Sequence, residues 1–154
     1  MPEMLHFTLI DVRHHHDLAQ LVDLDRDAFA GDGLTTSNLA LLTIAGRVYA
    51  LKCGDDILAD AIVLPTCTPN LALLFSFAVL SSRRGQGLGR QLMGHLLPEL
   101  AKQGWKRLQL TVDPANVPAV HLYTRVFSFR QIDDLPDCLG PGKRRLLLEI
   151  ALSI

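Results

Sequence analysis

The 154-residue chain reads as an α/β (α+β) fold, a single domain of helices packed around a mixed central sheet. Three observations predict this. Short apolar runs with strand character alternate with stretches whose apolar residues recur at helical spacing. An early pair of strands, "RVYALKC" and "ILADAIVL", is joined at the Gly54-Asp55-Asp56 turn as a hairpin. In the middle of the chain strand, helix and strand follow in succession, so the sheet is mixed.

The elements follow in order. "LHFTLIDV", residues 5–12, reads as the first strand. His14–Phe29 carries Leu18, Leu21, Val22, Leu24 and Phe29 as a helical stripe, and "GDG" at 31–33 breaks it. "TTSNLALLTI" is a short helix capped by Thr or Ser. After the hairpin and a loop over Pro65–Asn70, "LALLFSFAVL" is apolar at nearly every position and is expected to be buried throughout. Leu88–Gln103 places Leu88, Leu92, Leu96 and Leu100 four apart on one helix, with Pro98 expected to kink it. "KRLQLTV" is a strand and Asn116–Val126 a helix. "FSFRQI" and "RRLLLEIAL" are late strands separated by the loop 136–142.

Composition narrows the function classes. Hydrophobic residues make up 49% of the chain, enough for a packed core. A net charge of −1 gives no general attraction to nucleic acid or to an anionic membrane, so neither is expected as a partner. Cys53, Cys67 and Cys138 form no close pair, which speaks against a disulfide framework or a zinc cluster and for a reducing cytoplasm. The N-terminal stretch does not read as a signal peptide, and Leu71–Leu80 is too short to cross a bilayer. Neighbouring histidines in "RHHH" point in different directions on a helix, so no metal is expected. Asp23, Asp25, Asp27 and Asp32 read as a solvated helix face and loop, or as a group that could attract a cationic amine.

The densest chemistry lies in "SSRRGQGLGRQL", residues 81–92, where a strand gives way to a helix. The first N–H groups of a helix lack internal partners and carry the positive end of its dipole. Glycines let neighbouring N–H groups converge, which suits a phosphate or pyrophosphate. Arg83, Arg84 and Arg90 add positive charge at the rim. The stretch lacks the lysine of a Walker loop, and Arg90 stands where a dinucleotide fingerprint needs glycine. The spacing that fits is Arg-x-x-Gly-x-Gly, at Arg84, Gly87 and Gly89.

Together with "LQLTVDPANVPAVHLYTRV", the segment "FAVLSSRRGQGLGRQLM" resembles the GNAT superfamily of acyl-CoA-dependent N-acyltransferases. The resemblance is best over residues 71–129, where two motifs stand in the right order and at the right distance. It implies a GNAT-like single domain over 1–154, its sheet splayed at the fourth and fifth strands, with helices on both faces. It implies acetyl-CoA as cosubstrate, without a metal. The pyrophosphate would take backbone N–H groups of Arg84, Gly85, Gln86, Gly87, Leu88, Gly89 and Arg90. The pantetheine arm would lie along Phe77 to Val79, with the Val79 N–H polarising the thioester carbonyl. Tyr123 resembles the tyrosine that protonates the departing thiolate as general acid, and otherwise reads as packing on one helix face. Asn116 resembles a residue that touches the CoA arm, and reads equally as a helix N-cap.

The implied reaction transfers an acetyl group to an amine of a small molecule or a protein. A general base is not evident. Members resembling protein N-terminal acetyltransferases often carry Leu-Glu-Val where this chain has Leu110-Thr111-Val112, and others a glutamate near Leu73; Asp60, Glu149 and His121 are the remaining candidates, each also readable as a structural or solvated group. Val126-Phe127-Ser128-Phe129 stands where the family reads Leu-Gly-Phe. A non-catalytic acyl-CoA-binding or regulatory domain, and a nucleotide-phosphate binder of another fold, are the alternative readings. The acceptor's identity is expected to lie in the first two helices and the loop 133–143. A homodimer is left open.

Overall fold

The computed structural model describes residues 3–29 and 33–154. Asp32 therefore lies outside the described residues. Seven strands form a mixed sheet in the order β1-β2-β3-β4-β5-β7-β6. They are β1 Leu5–Ile10, β2 Arg47–Cys53, β3 Asp56–Pro65, β4 Leu71–Val79, β5 Arg107–Val112, β6 Arg130–Leu135 and β7 Arg145–Ala151. The α-helices are α1 His15–Ala28, α2 Thr36–Ala45, α3 Leu88–Lys102 and α4 Val117–His121. β4 and β5 run parallel, while β1–β2, β2–β3, β5–β7 and β6–β7 pair antiparallel. The α/β class and the element order agree with the sequence reading.

The chain divides into two compact units, one of Met1–Pro65 with Phe75–Leu96, the other of Thr66–Leu74 with Leu97–Ile154. In the first, the apolar stripe of α1 (Leu18, Leu21, Val22 and Leu24) packs with Leu39 of α2 and with Val48, Ala50, Ile57, Ile62 and Ala78 of the strands. A polar pair ties α1 to β2 in the same unit. Lys52 Nζ lies 2.8 Å from Asp17 Oδ1, and both side chains are largely buried. α2 starts at a reciprocal capping box: Asn38 N–H donates to Thr35 Oγ1 and Thr35 N–H to Asn38 Oδ1, each at 3.1 Å. α2 ends at Gly46, where a Cβ would stand 2.2 Å from the Val63 carbonyl oxygen, so backbone passes where a side chain would be. The hairpin turns through Gly54, at φ 59°, into the pair Cys53↔Asp56.

In the second unit, Leu71, Ala72 and Leu73 of β4 stand in register with Arg107, Leu108 and Gln109 of β5. Asn70, itself left-handed at φ 65°, starts that pairing by accepting the N–H groups of Lys106 and Arg107 at 2.9 and 3.1 Å. β4 continues to Val79 beyond this short register, and its outer half is not buried as expected: Phe75 is 47% exposed. An apolar run reports composition, whereas burial needs a neighbour over each face. α3 continues through Pro98 to Lys102. The helix expected over 116–126 changes character midway. Val117–His121 is α-helical, and Leu122–Val126 is a wider π turn, with Phe127 N–H donating to Leu122 O, five residues back, at 3.1 Å. The strand expected from Phe127 begins later, at Arg130, because Ser128 turns left-handed at φ 63°. The four residues Val126–Phe129 thus supply both the surplus that widens the helix and the left-handed turn after it.

Candidate active site

β4 leads into the glycine turn through bonds that fix its start. Leu80 N–H donates to Leu58 O of β3 at 2.9 Å. A short 3₁₀ turn, Ser81–Arg83, follows, with Arg83 N–H on Leu80 O at 2.8 Å. Asp27, near the end of α1, accepts both the N–H and the hydroxyl of Ser81 at 2.6 Å. These two bonds, with the nearby Arg84 charge, hold the Asp27 carboxyl below its ordinary range.

Beyond this anchor Gly85 and Gly87 both take left-handed backbone, at φ 77° and 78°. A Cβ at either would meet nothing within 4 Å, so these glycines serve conformation rather than space. Gln91 N–H makes a bond back to Gly87 O at 3.0 Å. Leu88, Gly89 and Arg90 form the first turn of α3, whose N–H groups have no acceptor within the helix. Leu88 is buried and holds this turn to the core, while Gly85, Gln86, Gly87 and Arg90 are exposed. The Arg84 N–H, expected among the ligand donors, faces Ser81 O at 3.4 Å. Arg83, expected as rim charge, is paired with Glu3 instead. Phe77 and Val79, both half-buried, belong to the same unit as this turn.

Tyr123 and Asn116 belong to the other unit. Asn116 caps α4, its Oδ1 accepting Ala119 N–H at 3.3 Å. Tyr123 lies on the π turn and is buried, its ring 5.7 Å from that of Phe129. Burial pushes its phenol up to about 12, against the opposing pull of the Arg145 charge. Arg145 is held by Thr111, with Nε on Thr111 Oγ1 at 3.2 Å and Nη2 on Thr111 O at 2.9 Å. Nothing local in the sequence ties Arg145 to Thr111, 34 positions away, so its place here is not legible from the sequence.

The candidate bases separate clearly. Glu149 Oε1 accepts Arg107 Nη1 and Gln109 Nε2, each at 2.9 Å, and so is occupied as a cross-strand anchor. His121 lies exposed on α4. Asp60 is 4% exposed on β3, and desolvation, with the Asp25 charge adding, raises its carboxyl to about 8. Its signal in the sequence is a lone acid inside the apolar run "ILADAIVL". Asp25 in turn accepts Leu34 N–H at 2.6 Å, so Asp25 and Asp27 are both structural anchors rather than a merely solvated face. Among the described residues no group of three or more His, Cys, Asp or Glu gathers as metal ligands. Among them, too, no helix is long and apolar enough to cross a membrane.

The model of the acetyltransferase (GNAT) family matches residues 14–129. The [ribosomal protein bS18]-alanine N-acetyltransferase of Escherichia coli K12 is 46% identical over 52 residues, which is 34% of this chain and 35% of that protein. The chain therefore matches about a third of the length of that curated relative. The crystal structure of the ribosomal-protein-S18-alanine N-acetyltransferase from Escherichia coli superposes with TM-score 0.83 at 23% identity, covering 98% of this chain and 96% of the other. An N-acetyltransferase from Staphylococcus aureus Mu50 gives TM-score 0.82 at 17% identity, over 97% and 99% of the two chains. These likenesses share one fold, and the family match runs from the start of the first helix through the strand, glycine turn and π turn. On that ground the chain belongs to the acetyltransferase (GNAT) family.

Proposed function

We propose that the chain is an acetyl-CoA-dependent N-acetyltransferase whose acceptor is the α-amine of a protein N-terminus. The observation that carries the cosubstrate is the glycine turn. Two left-handed glycines with open space around them lead into the first amides of α3, for which the helix itself supplies no acceptor. N–H groups of Gly85, Gln86, Gly87, Leu88, Gly89 and Arg90 would take the pyrophosphate, where the helix dipole adds to their partial charges. Along Phe77–Val79 the backbone would hold the pantetheine arm, with Val79 N–H on the thioester oxygen. A well-aimed donor of that kind is worth about 3–4 kcal/mol in the transition state.

Tyr123 is the proposed proton donor to the leaving thiolate. Its burial keeps the phenol protonated at neutral pH, the form a donor needs. A phenol at about 12 is a weak acid beside an ordinary thiol at about 8.5. A site that desolvates the phenol also makes the departing thiolate more basic, which narrows that gap. The Arg145 charge favours the phenolate left behind.

The acceptor follows from the state of two of the three candidate bases. Glu149 is occupied, and Asp60 is buried and protonated at neutral pH. An acceptor that is partly neutral unaided suits such a site. At neutral pH an α-amine of pKa about 8 is neutral roughly two orders of magnitude more often than a lysine amine of pKa about 10.4. The partial likeness to an enzyme named as a ribosomal-protein alanine N-acetyltransferase supports a protein acceptor.

The test follows release of free CoA thiol from acetyl-CoA. An N-terminal alanine peptide is expected to turn over, and Tyr123→Phe to lower kcat by about 10²–10⁴-fold. An equally good rate with an α-blocked lysine peptide or a small amine would overturn the acceptor assignment. Tight acetyl-CoA binding without turnover for any amine would instead identify a binding or regulatory domain.

A further inference from the structure

We propose that Thr124 is a positioning residue for Tyr123, its hydroxyl bracing the π turn from which that tyrosine projects. The inference rests on the reading of Tyr123 as proton donor and assigns a role to its neighbour.

The geometry around Tyr123 is a set of local ties. Thr124 Oγ1 donates to Val120 O at 2.7 Å, on the turn where α-helix gives way to π-helix. In a regular helix that carbonyl would be served by the backbone N–H four residues on. A hydroxyl on the same oxygen loosens the ladder there and favours a bend. One step later the wide turn closes between Phe127 N–H and Leu122 O at 3.1 Å. Ser128 then reverses the chain at φ 63°, which brings Phe129 N–H to within 2.8 Å of Tyr123 O. The Phe129 ring meets the Tyr123 ring at 5.7 Å with planes 59° apart. Tyr123 is therefore held through its carbonyl and its ring by Phe129, and both holds depend on the wide turn between them.

Loss of the Thr124 hydroxyl lets the helix continue in ordinary α form. The bond to Leu122 O then passes from Phe127 to Val126. Phe129 no longer arrives opposite Tyr123 in the same register, and the phenol loses its fixed direction. Thr124 itself touches none of the reacting atoms in this scheme. π turns inside helices are short, costly and concentrated at functional positions, which fits a turn kept for one side chain.

The test compares Thr124→Val, which keeps shape and removes the hydroxyl, with Thr124→Ser, which keeps the hydroxyl. Thr124→Val is expected to lower kcat about tenfold with KM for acetyl-CoA within about twofold, and Thr124→Ser to restore wild-type kcat. Equal losses in both variants, or no loss in Thr124→Val, would overturn the proposal. A second measurement is independent of activity. The chain has two tyrosines, so in a Tyr49→Phe background the ultraviolet titration reports Tyr123 alone. Thr124→Val is expected to bring that titration down from about 12 toward the ordinary phenol value near 10. An unmoved titration would overturn the bracing role. A silent Tyr123→Phe, by contrast, would remove the proton-donor reading while the titration still decides the role of Thr124.

Discussion

The Asp27 carboxylate holds Ser81 by both its N–H and its hydroxyl, 2.6 Å each, and so fixes the end of α1 to the residue that begins the glycine turn. Two bonds from one side chain set where the following amides start. Asp27→Ala is expected to weaken acetyl-CoA binding and to lower Tm. The folded carboxyl titrates below its ordinary 3.8. Its contribution is therefore complete above that value and is lost as pH falls through the folded pKa. The Tm gap between wild type and Asp27→Ala should be flat from neutral pH to about 4 and should close below it.

Asp60 behaves in the opposite sense. Its carboxyl is neutral in the fold up to about 8 and ionises near 3.8 when unfolded. Between those values the unfolded chain binds fewer protons than the folded one, so stability falls as pH rises. Asp60→Asn should be more stable than wild type at neutral pH, on the order of 2 kcal/mol or more. The advantage should shrink toward about pH 4. Thermal melts of both proteins across that range check it; a gap independent of pH would refute it.

The glycines of α3 and its approach divide into two kinds. Gly85→Ala and Gly87→Ala force a Cβ into left-handed backbone and should each cost about 1–2 kcal/mol. Because the space around both is open, asparagine should be tolerated better than alanine at either position. Gly94 lies inside α3 with nothing within 4 Å of an added Cβ. Gly94→Ala is accordingly expected to stabilise by about 0.5–1 kcal/mol. Urea unfolding of the three variants reads both signs in one series.

Glu149 ties Arg107 and Gln109 of β5 to β7. Glu149→Gln should lower stability by about 1 kcal/mol. It should leave kcat within a few-fold of wild type across the pH range. A collapse of kcat with loss of its acid limb would instead make Glu149 the base.

The sequence made the fold legible wherever one element dictates its own shape. Leu88, Leu92, Leu96 and Leu100 recur four apart and are all buried on α3. A Thr or Ser cap is legible at the start of α2, and Thr35 supplies it, with Asn38 completing the capping box. The glycine turn was legible because left-handed backbone narrows the choice of residue at Gly85 and Gly87. What stayed hidden depends on distant partners. Arg83 reads as free rim charge until Glu3, eighty positions away, is brought to it. Asp27 reads as solvated until Ser81 arrives. "FSFRQI" reads as continuous strand, yet Ser128 reverses the backbone before β6 begins. The apolar period over Asn116–Val126 fits a helix equally well whether its last turn is α or π. Only the bond from Phe127 to Leu122 separates the two.

Gly46 ends α2 directly against the backbone of β3, with the Val63 carbonyl oxygen 2.2 Å from the place of a Cβ. Every coded alternative carries that carbon, and the obstacle is main chain that no rotamer change can move aside. Codon 46 should therefore be nearly invariant among functional clones of a saturation library, while neighbouring codons drift.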